Sequence, residues 1–391
     1  MGLLNQLNGL SIAVSLLVSS MGGGLLDRLN IVPDQPAPYK IFIPSVANSN
    51  PSSASQASSA PIQAVRVQYA DYGKSRTEAV AMQDHLVKAH VNMVGLSAGR
   101  VEWAYFKWAP HPEYTSGDVK DSGIDILADD SALYGQFATI NAVIDVFSPN
   151  YILAHPGTAA INALGQRNPN LVGTMELVNG EYGQLLLEQV RYIAANYPHV
   201  NSISLTELSY RLDGYGPKEL ASYQSYSGKA DWPRISGGQI NIDEPTIGSW
   251  RSQILGKYFD KLTAAAHAYG KEFYLDVCLN PNRLSWEGNE MGTRYDLMLT
   301  HVDKLIVWGY YFLENYPPEF LQTAANLFEK YGSNRVIMSI GMWGPNNAIM
   351  SPDLLRRGLQ SSAQGGLANM WVTPTIYMND SLWKVLETYW K

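Results

Sequence analysis

From Ala64 onward, short apolar runs of strand length alternate with longer segments of helical period, and this alternation restricts the fold more than any other feature. The runs span 65–69, 91–97, 139–146, 200–206, 272–278, 304–310, 335–341 and 367–373, and segments such as 250–269 and 318–331 between them can form helices. Eight strands in β/α order over about 330 residues predict one (β/α)8 TIM barrel with enlarged loops. A doubly wound open sheet is the competing arrangement. It usually carries a glycine-rich phosphate turn after its first strand, which Tyr69-Ala70-Asp71-Tyr72-Gly73 does not supply, so no nucleotide or other cofactor is expected.

Three regions follow from composition. Residues 1–30 hold a short apolar run, 11–20 (SIAVSLLVSS), with small residues where a secretory signal is cleaved but no Lys or Arg before it. The run is shorter than the roughly 20 residues that cross a bilayer, so no stable membrane span is expected. Residues 31–63 are a Ser/Pro-rich linker whose low apolar content predicts a disordered N-terminal extension, with a candidate docking strand at 39–44. The barrel takes 64–391. Export to the cell surface or the medium is the expected location.

Parity along each run identifies what a barrel strand presents inward. In Phe273-Tyr274-Leu275-Asp276-Val277-Cys278 the apolar Phe273, Leu275 and Val277 face the helices, which turns Tyr274, Asp276 and Cys278 into the barrel. The run Val200-Asn201-Ser202-Ile203-Ser204-Leu205-Thr206 leads to Glu207. By strict alternation Glu207 shares the outward face of Ile203 and Leu205, so it reaches the mouth only if the strand ends at Thr206. Two carboxyl groups from neighbouring strands at one rim are the equipment for cleaving a glycosidic bond: one keeps a proton for the leaving oxygen and the other stays ionised. Glu207 and Asp276 are therefore the candidate catalytic pair, with Asp213 and the Asp243-Glu244 pair as competitors for the second role.

Aromatic residues supply the second line of argument. The chain has 24 Tyr and 10 Trp, a composition that suits stacking on sugar rings as well as ordinary core packing. Trp308, Tyr310, Trp343 and Trp371 fall near expected strand ends and are candidate stacking residues. Arg100, in a loop with Glu102 and Trp103, is a candidate for holding a substrate hydroxyl or an acidic partner, with a simple pair to Glu102 as the alternative. His155 in the loop after the third run and Tyr210 just beyond Glu207 complete the substrate-binding set.

Several of these segments resemble a known family. Thr206-Glu207-Leu208 at a strand end, Tyr215-Gly216-Pro217 followed by Leu220 and Tyr223, Ile247-Gly248-Ser249-Trp250-Arg251, Gly270-Lys271 before Leu275-Asp276-Val277, and Val302-Asp303-Lys304 before Trp308-Gly309-Tyr310 resemble the family-10-like glycosyl hydrolase barrels. More distantly, the chain is similar to the hydrolase barrel of exopolysaccharide-processing proteins. The resemblance covers about 65–373 and implies a secreted barrel acting on a polysaccharide or oligosaccharide. It also implies that Thr206-Glu207 takes the place of the Asn-Glu pair that carries the acid/base in the large clan of retaining barrels. That clan draws its nucleophile from the end of the seventh strand, where Ser339-Ile340-Gly341-Met342-Trp343-Gly344 has no carboxylate. Asp276 as replacement, substrate assistance and binding without cleavage all stay open.

Other functions are disfavoured. Charged residues make up 16% of the chain and the net charge is -7, with no basic cluster to receive nucleic acid. No G-x-S-x-G elbow marks a serine hydrolase, and the seven His form no zinc-ligand spacing, so no metal is expected. The single cysteine, Cys278, excludes an intramolecular disulfide. Two functions are carried forward: a glycoside hydrolase using Glu207 and Asp276, and a non-catalytic barrel that binds a glycan through the same aromatics.

Overall fold

The computed structural model describes residues 60–68 and 76–391. The leader, most of the linker, the docking strand at 39–44 and the turn at 69–73 lie outside the described residues.

Eight parallel strands close into a barrel: β1 (Gln63–Val67), β2 (Met93–Arg100), β3 (Thr139–Asp145), β4 (Val200–Thr206), β5 (Glu272–Cys278), β6 (Lys304–Trp308), β7 (Val336–Gly341) and β8 (Met370–Thr373). Each pairs with its sequence neighbours, and β1 pairs with both β2 and β8, which removes every free edge. Helices such as Glu181–Asn196, Pro245–His267 and Pro352–Gln364 connect the strands. Proline at the first turn of the last two supplies a preset φ where the missing N–H costs nothing, and Ser351 caps the third by accepting from the Leu354 amide. Among the described residues no helix is long and apolar enough to cross a membrane.

All eight expected strands are present, β4 and β5 with the expected bounds and the others with shifted ends. β6 stops two residues early, because the Gly309 amide turns to donate to the Val307 and Ser339 carbonyls at 2.9 and 2.8 Å. β2 runs three residues further than expected. A register shift between Ser97 and Gly99 and a φ of 87° at Gly99 let its end fold back antiparallel onto the short strand Trp103–Ala104.

The interior follows the two-residue period. Ala64, Met93, Val143, Tyr274, Ile306, Ile337 and Trp371 pack as one buried layer inside the barrel. Beside them Asn141 on β3 links the small polar residues of β4: its amide donates to Ser202 at 2.8 Å, and its oxygen accepts from the Ser204 hydroxyl at 2.8 Å. Ile203 and Leu205 face the helices with no exposed area. The long βα connections gather on the carboxyl side. The one after β3 contains an antiparallel pair, Ala159–Ile161 with Arg167–Val172. The one after β4 buries Tyr215, Tyr223, Trp232, Ile247 and Trp250 as a separate aromatic cluster.

Gly95 on β2 exists for Trp371. A Cβ at that position would lie 2.2 Å from the indole, which crosses the strand from β8. Gly95→Val is expected to destabilise the barrel by about 1–3 kcal/mol, the usual cost of overpacking a filled core, read from the midpoint of urea unfolding.

Candidate active site

β4 ends at Thr206, and Glu207 takes a left-handed φ of 66°. That conformation is uncommon for a side chain larger than glycine and costs on the order of 1 kcal/mol, a type of strain that collects at functional positions. It breaks the alternation that would have sent Glu207 among the outer helices. Its carboxylate is half-buried, and its charge bears on the Cys278 thiol of β5 and the Tyr310 hydroxyl after β6.

Asp276 projects inward from β5 between Tyr274 and Cys278 and is 7% exposed. Its Oδ2 accepts from the Trp308 indole at 3.3 Å, and the Thr206 hydroxyl also hydrogen-bonds its carboxyl. Burial pushes its pKa up to about 6, against the pull of the Arg66 charge, Thr206 and Trp308. The Cys278 thiol and the Tyr310 hydroxyl feel the charges of both Glu207 and Asp276.

The aromatic candidates divide. Trp308 and Tyr310 stack with ring centroids 5.4 Å apart and planes 9° from parallel, and Tyr310 meets Trp343 at 4.9 Å. A Cβ on Gly341 would approach Tyr310 to 2.9 Å, so the glycine that ends β7 makes room for this wall. Trp371 sits instead in the buried interior layer. Tyr210 has no exposed area and donates to the Val172 carbonyl at 2.9 Å, which ties the chain beyond Glu207 to the preceding connection. His155 is exposed at the end of the helix Pro149–Ala154, with its ring 4.6 Å from that of Tyr151.

Arg100 leaves the end of β2 and donates from Nε to Asp145 Oδ2 at 3.1 Å. Asp145 is in register with Thr206, so this pair continues the rim that holds Glu207. Glu102 lies behind it with both oxygens buried, and burial raises its pKa to about 7. The competing acids are engaged elsewhere. Asp213 accepts from Asn168 at 3.0 Å, and Glu244 lies 3.7 Å from Lys229. Asp243 bridges Arg211 and Arg283 at 3.1 and 2.7 Å, which joins the loops after β4 and β5. Glu290, buried near both arginines, also acts on Cys278.

Sequence reasoning passed over Arg66 and Asp145, although parity reveals both. Arg66 follows Ala64 by two residues, and Asp145 follows Asn141 and Val143 on one face. Glu290 carried no comparable signal, because it sits in an irregular connection.

No protein-family model and no curated protein matches the sequence. Solved structures do. The glycoside hydrolase domain of PgaB (BpsB) from Bordetella bronchiseptica is similar with a TM-score of 0.65 at 14% identity, over 84% of this chain and 98% of that one. The catalytic domain of β-amylase from Paenibacillus polymyxa gives 0.58 at 13% identity, over 84% and 97%. β-Galactosidase from Marinomonas ef1 gives 0.60 at 12% identity, over 84% of this chain and 59% of that one. The shared feature is the TIM-barrel fold. At such identities the likeness is one of fold, and residue roles have to be argued from this chain's own geometry.

The raised pKa of Asp276 has a consequence for stability. The folded protein resists its ionisation, so the carboxyl costs nothing below its ordinary pKa of 3.8, costs increasingly as pH rises toward about 6, and costs a constant amount above that. Asp276→Asn is expected to remove this pH-dependent loss. Between pH 3.5 and 7.5 the stability of the variant relative to wild type should improve by on the order of 2 kcal/mol, measured by denaturant unfolding across that range.

Proposed function

We propose that the barrel hydrolyses glycosidic bonds of a polysaccharide or oligosaccharide, with Glu207 as general acid and Asp276 as its ionised partner. What carries the reading is the meeting of two carboxyl groups with a wall of stacked aromatic rings at the carboxyl ends of β4 to β7. Glu207 is the more exposed of the pair and is the group that reaches the glycosidic oxygen. Asp276 lies deeper and acts through its charge, which favours a cationic transition state. Trp308, Tyr310 and Trp343 give the sugar ring an apolar face, and the Arg100–Asp145 pair offers polar contacts on the far side of Glu207. The family-10-like glycosyl hydrolases are the group whose motifs the chain resembles, and secretion accords with the apolar run at 11–20.

Glu207→Gln is expected to lower release of reducing ends by about a thousandfold while glycan affinity is retained, as read by product assay and isothermal titration on a polysaccharide panel. Because Asp276 must lose its proton, kcat/KM of the wild type should rise with pH through about 6. Asp276→Asn should lower activity and abolish that limb.

The second reading is a barrel that binds glycan without cutting it. The observation in its favour is the end of β7, where Met342-Trp343-Gly344 stands without a carboxylate. Wild-type protein that binds a glycan and releases no reducing ends would establish it.

A further inference from the structure

The connections after β3 and β4 enclose an open cavity that the reading above leaves unused. Its volume is about 390 Å³, within the range of small-ligand sites. One wall is the turn of the hairpin after β3, where the Gly165 amide donates to the Asn162 carbonyl at 2.9 Å. The other is a turn after β4, in which the Ile235 amide donates to the Gln239 carbonyl at 3.0 Å. Tyr215 lines the space between them and is held firmly: its amide donates to the Ile161 carbonyl at 2.8 Å, its hydroxyl to the Arg211 carbonyl at 2.8 Å, and the Arg251 guanidinium lies 4.6 Å over its ring. The second wall is bare. Gly237 and Gly238 have φ of 105° and 81°, and a Cβ on either would meet nothing within 4 Å, so exposed backbone faces a ligand there.

The lining suits an uncharged ligand that carries apolar faces and hydrogen-bonding groups together. Among the described residues that line it, only Arg234 is charged, and that guanidinium is engaged by Asp231 at 3.0 Å and by the Gly238 carbonyl at 2.6 Å. An anion therefore meets a cation already paired. Ile161, Ile240 and Tyr215 offer apolar surface, while the exposed Gln239 amide offers a donor and an acceptor at the lip. A sugar presents the matching mixture of C–H faces and hydroxyls. Position narrows the choice further. Both turns stand on connections from the carboxyl ends of the strands, and the chain from 207 to 215 cannot separate Tyr215 from Glu207 by more than about 28 Å. β3 is four strands from β7 in the closed order, so the connection after β3 starts across the barrel from the side that carries Trp343.

We propose that this cavity is a second glycan-binding site, which takes an uncharged stretch of the same chain several sugars away from the unit at Glu207. This rests on the glycan reading and deepens it: the ligand is a long neutral polysaccharide that crosses the mouth, and a short oligosaccharide fills only the central site. Once one stretch is bound, the second contact is intramolecular, so even a weak grip in the cavity adds to the affinity for long chains and adds nothing for short ones. Leu164 and Gln239, both exposed at the tips of the two turns, are the residues that distinguish long from short.

The test uses the full chain carrying Glu207→Gln to block turnover, titrated with three neutral pairs of ligands: cellotriose and hydroxyethyl cellulose, maltotriose and amylose, chitotriose and glycol chitin. Adding Leu164→Ala and Gln239→Ala together is expected to weaken binding of the preferred polymer about tenfold and to leave its trisaccharide unchanged. Equal loss for polymer and trisaccharide, or no loss for either, would overturn the second site and leave the glycan reading intact. If none of the six ligands binds, both fall together. Hydrogen exchange locates the contact directly. The polymer should slow exchange of the amides in 162–166 and 235–240, the trisaccharide should not, and polymer binding without protection of those two turns counts against the proposal.

Discussion

Pairing of β1 with both β2 and β8 is the constraint on which the site depends. Once the sheet closes, every inward side chain shares one narrow interior, and large rings such as Trp371 fit only where a facing strand offers a glycine such as Gly95. Below the mouth this interior is filled by apolar residues and by the Asn141, Ser202 and Ser204 ladder. Polar groups that cannot be packed away emerge at the carboxyl end. Arg66 and Asp145 are the last inward residues of their strands, and Asp276 is the last but one of its own, followed by Cys278.

Two devices adapt that general frame. The left-handed backbone at Glu207 stops β4 and redirects a carboxylate that would otherwise have been buried against helices. The tight turn at Gly309 ends β6 early and leaves Trp308 and Tyr310 stacked over the hollow. The charge bridge from Arg211 through Asp243 to Arg283 then ties the connections after β4 and β5 to one another. Burial at the centre of this arrangement disfavours ionisation of Asp276, and a carboxyl with a pKa near 6 can change its charge under mild conditions.

The legible part of the site was the part carried by regular strands. Parity alone turned Asp276 inward, and applied to β1 and β3 it yields Arg66 and Asp145 as well. Parity failed at Glu207, because a single residue with positive φ resets the alternation and nothing in Thr206-Glu207-Leu208 specifies that conformation. It also could not rank aromatics: Trp308 and Trp371 both face inward, but one lies at the rim and the other in the packed layer. Barrel shear sets that height.

By itself, the sequence determined the number and order of the strands, the face each residue takes within them, and the absence of a carboxylate after β7. These follow from periodicity, which is local. Tertiary structure decided which inward groups meet, how deeply Asp276 is buried and therefore where it titrates, and that Arg66 on the first strand answers a carboxylate on the fifth. Those are properties of closure and stagger, which bring together residues some two hundred positions apart, and local pattern holds no record of them.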